Sequence, residues 1–215
     1  MTSLKENYLN IKNSIPEKVT LVAVSKTKPM ELIQELYDCG QRIFGENRVE
    51  ELVLKNNKLP KDIQWHMIGH LQSKKVKKIA PFINLIHSID SLKLLKEVNK
   101  EALKNNRIID CLLQFHIAKE ESKFGFTSTE FLNSTDFKEL KNTRIKGIMG
   151  MATFTKDQVI VKEEFHNLKQ ISDKIIAILP TANIISMGMS GDFKLAIKEG
   201  STMIRVGSSI FGARK

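Results

Sequence analysis

Short apolar runs alternate with longer amphipathic segments along the chain. Leu4, Tyr8, Leu9 and Ile11 fall roughly on one face of a leading helix that reaches Ser14. Val19 to Val24 is apolar and β-branched and reads as a first strand, left through Ser25-Lys26-Thr27-Lys28-Pro29. The proline favours a helix start, so Met30 to Cys39 is the next helix, stopped by Gly40. The unit then repeats, with strands at Arg42–Gly45, Gln64–Ile68, Leu85–Ile89, Ile108–Ile117, Ile145–Met149, Ile184–Met187 and Met203–Val206. The intervening helices are expected at Asn47–Asn57, Gln72–Ile79, Ser91–Lys104 with Asp90 as N-cap, Thr129–Leu140, Asp157–Ile178 and Asp192–Glu199. Strands written as continuous apolar runs are buried on both faces, which predicts a parallel sheet with helices outside it. Eight strand-then-helix units close naturally into a (β/α)8 TIM barrel, here with an extra N-terminal helix. An open doubly wound sheet is the alternative, because periodicity carries no information on closure. No Pro/Gly/Ser-rich linker divides the sequence, so residues 1–215 are expected to form one domain.

Composition narrows the class. With 41% hydrophobic and 27% charged residues, the chain reads as an ordinary globule and not a disordered segment. Two cysteines, Cys39 and Cys111, exclude a disulfide framework. The first residues carry no apolar signal region, and no apolar run approaches the roughly 20 residues of a membrane helix. A cytoplasmic protein is the expectation. Thirty-four Lys+Arg against 24 Asp+Glu leave a net charge of +10, which favours an anionic partner. A nucleic-acid binder is the competing class, prompted by Ser73-Lys74-Lys75-Val76-Lys77-Lys78. On a helix these lysines make a solvated face, and no aromatics are interleaved as a single-strand groove requires. Specific nucleic-acid recognition is therefore not expected.

In a parallel barrel the chemistry sits at the carboxyl ends of the strands. Lys26 stands there, just beyond Ala23-Val24-Ser25, where partial desolvation prepares an amine to attack a carbonyl. Gly188-Met189-Ser190-Gly191 ahead of Asp192, and Gly207-Ser208-Ser209 one strand later, are glycine-opened turns with hydroxyls. Loops after strands seven and eight are where such barrels bind phosphate. An amine and a phosphate cradle fit a phosphorylated aldehyde held as an imine: pyridoxal 5′-phosphate, or a sugar phosphate in an aldolase. Arg205 discriminates between them. It stands two residues before Gly207, on the same side of the strand, and a guanidinium beside a pyridine nitrogen leaves that nitrogen unprotonated.

LVAVSKTKP (Leu21–Pro29), FGENRVEEL (Phe44–Leu52), WHMIGHLQSKKVKKI (Trp65–Ile79) and EESKFGF (Glu120–Phe126) resemble the pyridoxal phosphate homeostasis proteins. The closing SMGMSGDFKLAIKEGSTMIRVGSSIFGAR (Ser186–Arg214) resembles them most closely. The resemblance implies one barrel similar to the alanine racemase barrel domain, the fold type III class. It further implies that Lys26 carries the cofactor as a Schiff base and that Arg205 faces the pyridine nitrogen. Ser190, Gly207 and Ser208 would hold the phosphate, Met189 would back that loop, and Asn47 would lie near the ring. Phe115-His116-Ile117 departs from a more polar stretch of the family, and Ser208 stands where threonine is frequent.

Two-base racemisation needs acid–base groups on both faces of the substrate carbon. The only tyrosines, Tyr8 and Tyr37, are placed away from the strand ends, and a neutral pyridine is a weaker electron sink. His66, His70 and His87 near strand ends read as structural hydrogen-bonding groups, and His66 with His70 is not expected to form a zinc pair. The sequence favours a carrier and regulator of pyridoxal phosphate over a catalyst. Such a carrier would supply apo-enzymes and affect amino-acid and keto-acid balance. A racemase-like enzyme is the alternative, and a monomer is expected.

Overall fold

The computed structural model describes residues 3–119, 125–126 and 136–213. The leading helix α1 (Leu4–Ser14) opens on a capping box, in which Ser3 Oγ accepts the Glu6 N–H and the Glu6 carboxylate accepts the Ser3 N–H. Eight strands follow: β1 (Thr20–Val24), β2 (Ile43–Glu46), β3 (Gln64–Met67), β4 (Leu85–Ile89), β5 (Ile109–Gln114), β6 (Thr143–Met149), β7 (Ile184–Ser186) and β8 (Met203–Val206). Every neighbouring pair is parallel and the order is sequential and closed. Closure comes from β1 lying on β8, with Thr20 opposite Met203 and Ala23 opposite Val206, and this excludes the open doubly wound sheet.

The outer helices are α2 (Met30–Asp38), α3 (Val49–Lys58), α4 (Val76–Ile79), α5 (Leu92–Lys104), α6 (Gln158–Ile178), α7 (Phe193–Lys198) and α8 (Ser208–Phe211). Each buries one stripe against the sheet. In α6 the stripe is Val161, Phe165, Leu168, Ile171 and Ile175, at the spacing of a helix with one apolar face. The core accordingly has two parts. The larger lies between sheet and helices and includes Phe44, Trp65, Met67, Ile86, Phe165 and Ile204. The smaller fills the base of the barrel with Val22, Leu85, Leu112, Met149 and Met203. Alternation along each strand separates the two: Met203 and Arg205 turn inward, while Ile204 and Val206 turn towards the helices.

Several elements differ from the sequence expectation. The Gln72–Ile79 helix is a 3-10 turn (Ser73–Lys75) followed by the single turn of α4, because only Val76 and Ile79 have apolar surface to bury. Lys74, Lys77 and Lys78 are exposed, and Lys75 and Lys78 pair with Glu50. β5 ends at Gln114; Phe115 beyond it still donates its N–H to the Met149 carbonyl of β6 and bridges Phe126. Ser91, not Asp90, caps α5: its Oγ accepts the Leu94 N–H, while Asp90 is turned to His70. Helix α3 starts at Val49, leaving Asn47 and Arg48 in the loop. Of the helix expected over Thr129–Leu140, residues 129–135 lie outside the described part, and Asp136–Glu139 form a 3-10 turn. Of EESKFGF only Gly125 and Phe126 are described, and Arg214 lies outside.

Candidate functional site

β1 turns Val22 into the barrel base and then Val24 and Lys26 into its mouth, two residues apart as the pleat requires. The turn that carries Lys26 is held from behind. Ser25 Oγ donates to Glu46 Oε1 at 2.6 Å, and the Ser25 carbonyl accepts from Lys55 Nζ at 2.8 Å. The Thr27 N–H donates to Glu51 Oε1 at 2.7 Å. Thr27 has φ +64°, a conformation that a β-branched residue adopts only at a cost of about 1–3 kcal/mol. Those bonds from β2 and α3 offset the strain and set the direction in which Lys26 leaves the strand. Lys28 reaches the other way, donating to the carbonyls of Phe211, Gly212 and Ala213 at the end of α8.

The loop after β7 begins at Gly188, whose φ is +94° and whose missing Cβ would stand 2.6 Å from the Ala196 Cβ. Met189 follows, partly exposed, with its N–H on Asp192 Oδ1 at 2.6 Å. Burial raises the Asp192 pKa. Ser190 Oγ then accepts two backbone N–H groups from the next loop, those of Gly207 (3.2 Å) and Ser209 (3.3 Å). Two N–H donors of the turn after β8 thus converge on one hydroxyl oxygen of the loop after β7, and N–H groups converging in this way suit a phosphate oxygen. Ser208, expected in this cradle, lines the cavity, but the second converging N–H belongs to Ser209. The Gly-Ser-Ser run was the visible signal, and the backbone turn into α8 decides which serine presents its N–H to Ser190.

Arg205 is buried with 4% of its surface accessible. Its Nη1 donates to the Ser186 carbonyl (2.8 Å) and Ser186 Oγ (2.7 Å), and Nη2 donates to the Gly150 carbonyl (3.1 Å). Burial lowers its pKa to about 10, which leaves the guanidinium charged at neutral pH. Asn47 sits at the end of β2 with Oδ1 buried and unpartnered among the described residues. Gly69 abuts its backbone: a Cβ there would stand 2.5 Å from the Asn47 carbonyl oxygen. Gly69→Ala is accordingly expected to push the Asn47 backbone out of place, weaken ligand retention and lower the melting midpoint by several degrees, since overpacking costs about 1–3 kcal/mol, which titration and a thermal scan would check. Unaltered retention would show that Asn47 is not needed.

One cavity of about 640 Å³ is lined by Lys26, Asn47, Met189, Ser190, Arg205, Gly207 and Ser208, so the structure brings all seven expected residues together. It adds Val24, Ile68, His70, Gln114, Met151 and Phe154 among others. His70 Nδ1 lies 3.0 Å from Asp90 Oδ2. Gln114 and Met151 escaped the sequence reading because a polar or sulfur side chain inside an apolar run has no distinguishing local pattern. A larger hollow of about 890 Å³ between α1 and α7 shares Ser190 and Gly191 but reaches neither Lys26 nor Arg205. The chemistry therefore belongs to the smaller cavity. Tyr8 is buried in α1 and Tyr37 donates to Asp62, so neither faces that cavity. Among the described residues no group of three or more His, Cys, Asp or Glu is placed to hold a metal ion.

The family of the alanine racemase N-terminal domain matches residues 1–215. The pyridoxal phosphate homeostasis protein of Aquifex aeolicus is 38% identical over 198 residues, covering 91% of this chain and 87% of its own. The solved structure of PipY from Synechococcus elongatus, with pyridoxal phosphate bound, superposes with a TM-score of 0.90 at 32% identity, over 98% of this chain and all of that one. Clostridium difficile alanine racemase, at 16% identity and a TM-score of 0.80, shares the fold over 56% of its length. Matched along its whole length by the barrel family and over nine-tenths of it by a named relative, the chain belongs to the pyridoxal phosphate homeostasis proteins, which share the alanine racemase N-terminal barrel.

Proposed function

We propose that this barrel binds pyridoxal 5′-phosphate reversibly on Lys26 and takes part in keeping the free cofactor low and available. The observation that carries the reading is the convergence of an amine, a buried guanidinium and a pair of N–H groups meeting the Ser190 hydroxyl on one cavity of cofactor size. The donor set suits the ligand. The phosphate matches the Gly207 and Ser209 N–H groups with the hydroxyls of Ser190 and Ser208, and Met189 backs that loop. The unpartnered Asn47 Oδ1 offers an acceptor beside the ring, and Arg205 offers donors to the pyridine nitrogen. When bound, the cofactor would supply an aldehyde, and Lys26 would hold it through its amine with loss of one water.

A holding role suits the residues better than turnover, since Arg205 offers the pyridine a hydrogen bond but no proton. A second reading, weak proton transfer on amino acids, is favoured by one observation: His70 lines the cavity and is oriented by Asp90. Transfer to apo-enzymes, a monomeric state, one folding unit and a cytoplasmic site complete the proposal. Among the described residues no helix is long and apolar enough to cross a membrane.

The test is an absorption spectrum of wild type and Lys26→Ala after incubation with pyridoxal phosphate, followed by borohydride and peptide mapping. Wild type is expected to show a visible band that borohydride bleaches, with a pyridoxyl group left on Lys26. Lys26→Ala is expected to lose at least nine-tenths of the band. A colourless wild type without the adduct sinks the proposal and favours a sugar-phosphate aldolase or lyase. Amino-acid-dependent turnover that disappears in His70→Phe would support the second reading.

A further inference from the structure

The inside of a parallel barrel is ordinarily filled by branched apolar side chains. Above the apolar base of this one lies a polar string. Arg205 Nη1 is 2.7 Å from Ser186 Oγ, Ser186 Oγ is 3.0 Å from His87 Nδ1, and His87 Nε2 is 3.0 Å from His66 Nδ1. All four side chains are buried, and they come from β8, β7, β4 and β3. Their sequence positions span about 140 residues, so only the closed barrel makes them neighbours.

The proton positions in this string follow from its chemistry. A guanidinium only donates, so Ser186 Oγ accepts from Arg205 and has a single proton left to give. His87 Nδ1 is the acceptor within reach, which places the His87 proton on Nε2. That proton goes to His66 Nδ1, so His66 is also protonated on Nε2. The opposite direction would point His87 Nδ1–H at Ser186 Oγ, which already accepts from Arg205. The serine proton would then be without an acceptor among the described residues, at a cost of about 1–3 kcal/mol. Only the first arrangement gives the buried Ser186 proton an acceptor.

We propose that Ser186, His87 and His66 are positioning residues, a one-directional hydrogen-bond string that aims Arg205 at the cofactor ring nitrogen and denies that nitrogen a proton. The proposal rests on the cofactor reading above. Nη1 spends both its hydrogens on Ser186 and Nη2 spends one on Gly150, so the guanidinium plane is set by β6–β7–β8 backbone and by the string. Nε–H and one Nη2–H stay available to a ring at the mouth. Neither histidine holds a proton that can travel towards the ring, because the single link between them and Arg205 is a hydroxyl already giving its proton away from it. Selection of a neutral pyridine is thus built into the barrel wall, three side chains deep.

Two measurements test this. In cofactor-free wild type, nitrogen-15 histidine spectra should show both His66 and His87 as neutral Nε2–H tautomers. A His87 proton on Nδ1 overturns the string whether or not Lys26 takes cofactor. Next, wild type loaded with nitrogen-15 pyridoxal phosphate should show an unprotonated ring nitrogen. Ser186→Ala and His87→Leu should each move that signal towards the protonated position and weaken retention about tenfold or more. His87→Gln, whose amide accepts and donates at the same two ends, should stay within about threefold of wild type. Variants that load and resonate like wild type overturn the positioning role. A wild type that takes no cofactor overturns the function proposed above and the ring assignment with it, while the tautomers still decide the string. Should the variants fail to fold, the wild-type tautomer and ring signals decide alone.

Discussion

Lys55→Met is expected to lower the melting midpoint by roughly 6–20 °C, the largest effect of any single substitution outside the apolar core. Lys55 is 3% exposed and Glu46 is fully buried, and they meet at 2.8 Å between α3 and the end of β2. Glu51 adds a second carboxylate at 2.6 Å from the same ammonium. Burial raises the Glu46 pKa, against the opposing pull of Lys55 and the Ser25 hydroxyl. Glu46 Oε2 is already without a partner among the described residues. Removing the ammonium leaves a buried carboxylate held by Ser25 alone, a loss of about 3–5 kcal/mol. The double variant Glu46→Gln/Lys55→Met should recover most of that, because a neutral amide needs no countercharge. The site should respond too: Lys55 holds the Ser25 carbonyl, and Glu51 holds both Lys55 and the Thr27 N–H, so slower cofactor loading on Lys26 should accompany the lower midpoint. A single variant melting within about 2 °C of wild type would show that water reaches this pair.

The second large effect is on acid stability. Desolvation lowers the His66 pKa to about 3, and it lowers that of His87 well below the ordinary value, with further depression from His66 and Arg205. Both histidines fold in the neutral form. A base whose folded pKa is depressed leaves the unfolded chain binding more protons, so stability is complete above about pH 6.5 and falls as pH drops towards 3. At pH 5 His66 alone accounts for about 2 kcal/mol. Glu46 and Asp192 act in the opposite sense, since their raised folded pKa values favour the native state as pH falls. Comparison with His66→Gln isolates the histidine: urea unfolding at pH 7 and pH 5 should show a smaller acid loss in the variant. Equal losses in the two proteins would mean that His66 takes up a proton inside the fold.

The order of elements was legible in the sequence because strands buried on both faces are written as unbroken apolar runs, and helices that cover them repeat at helical spacing. Lys26 and Arg205 were legible for a related reason. A charged group at or just beyond an apolar strand is conspicuous, and the pleat says which way it turns. The glycine-opened loops announced a phosphate cradle but not its donors, which depend on where α8 begins. Helix ends were misread where a competing partner intervened, as when Asp90 took His70 and left the cap to Ser91.

Closure itself belongs to the tertiary structure, since the β1–β8 ladder joins residues far apart in the chain and hydrophobic periodicity is blind to partners. The same holds for the buried polar contacts. Lys55 reads locally as one lysine of a surface helix, and His66 and His87 as isolated polar positions in apolar strands. Their roles come from neighbours on other strands. A buried charge or imidazole is tolerated only where distant groups complete its hydrogen bonds, and which groups those are is decided when the barrel closes.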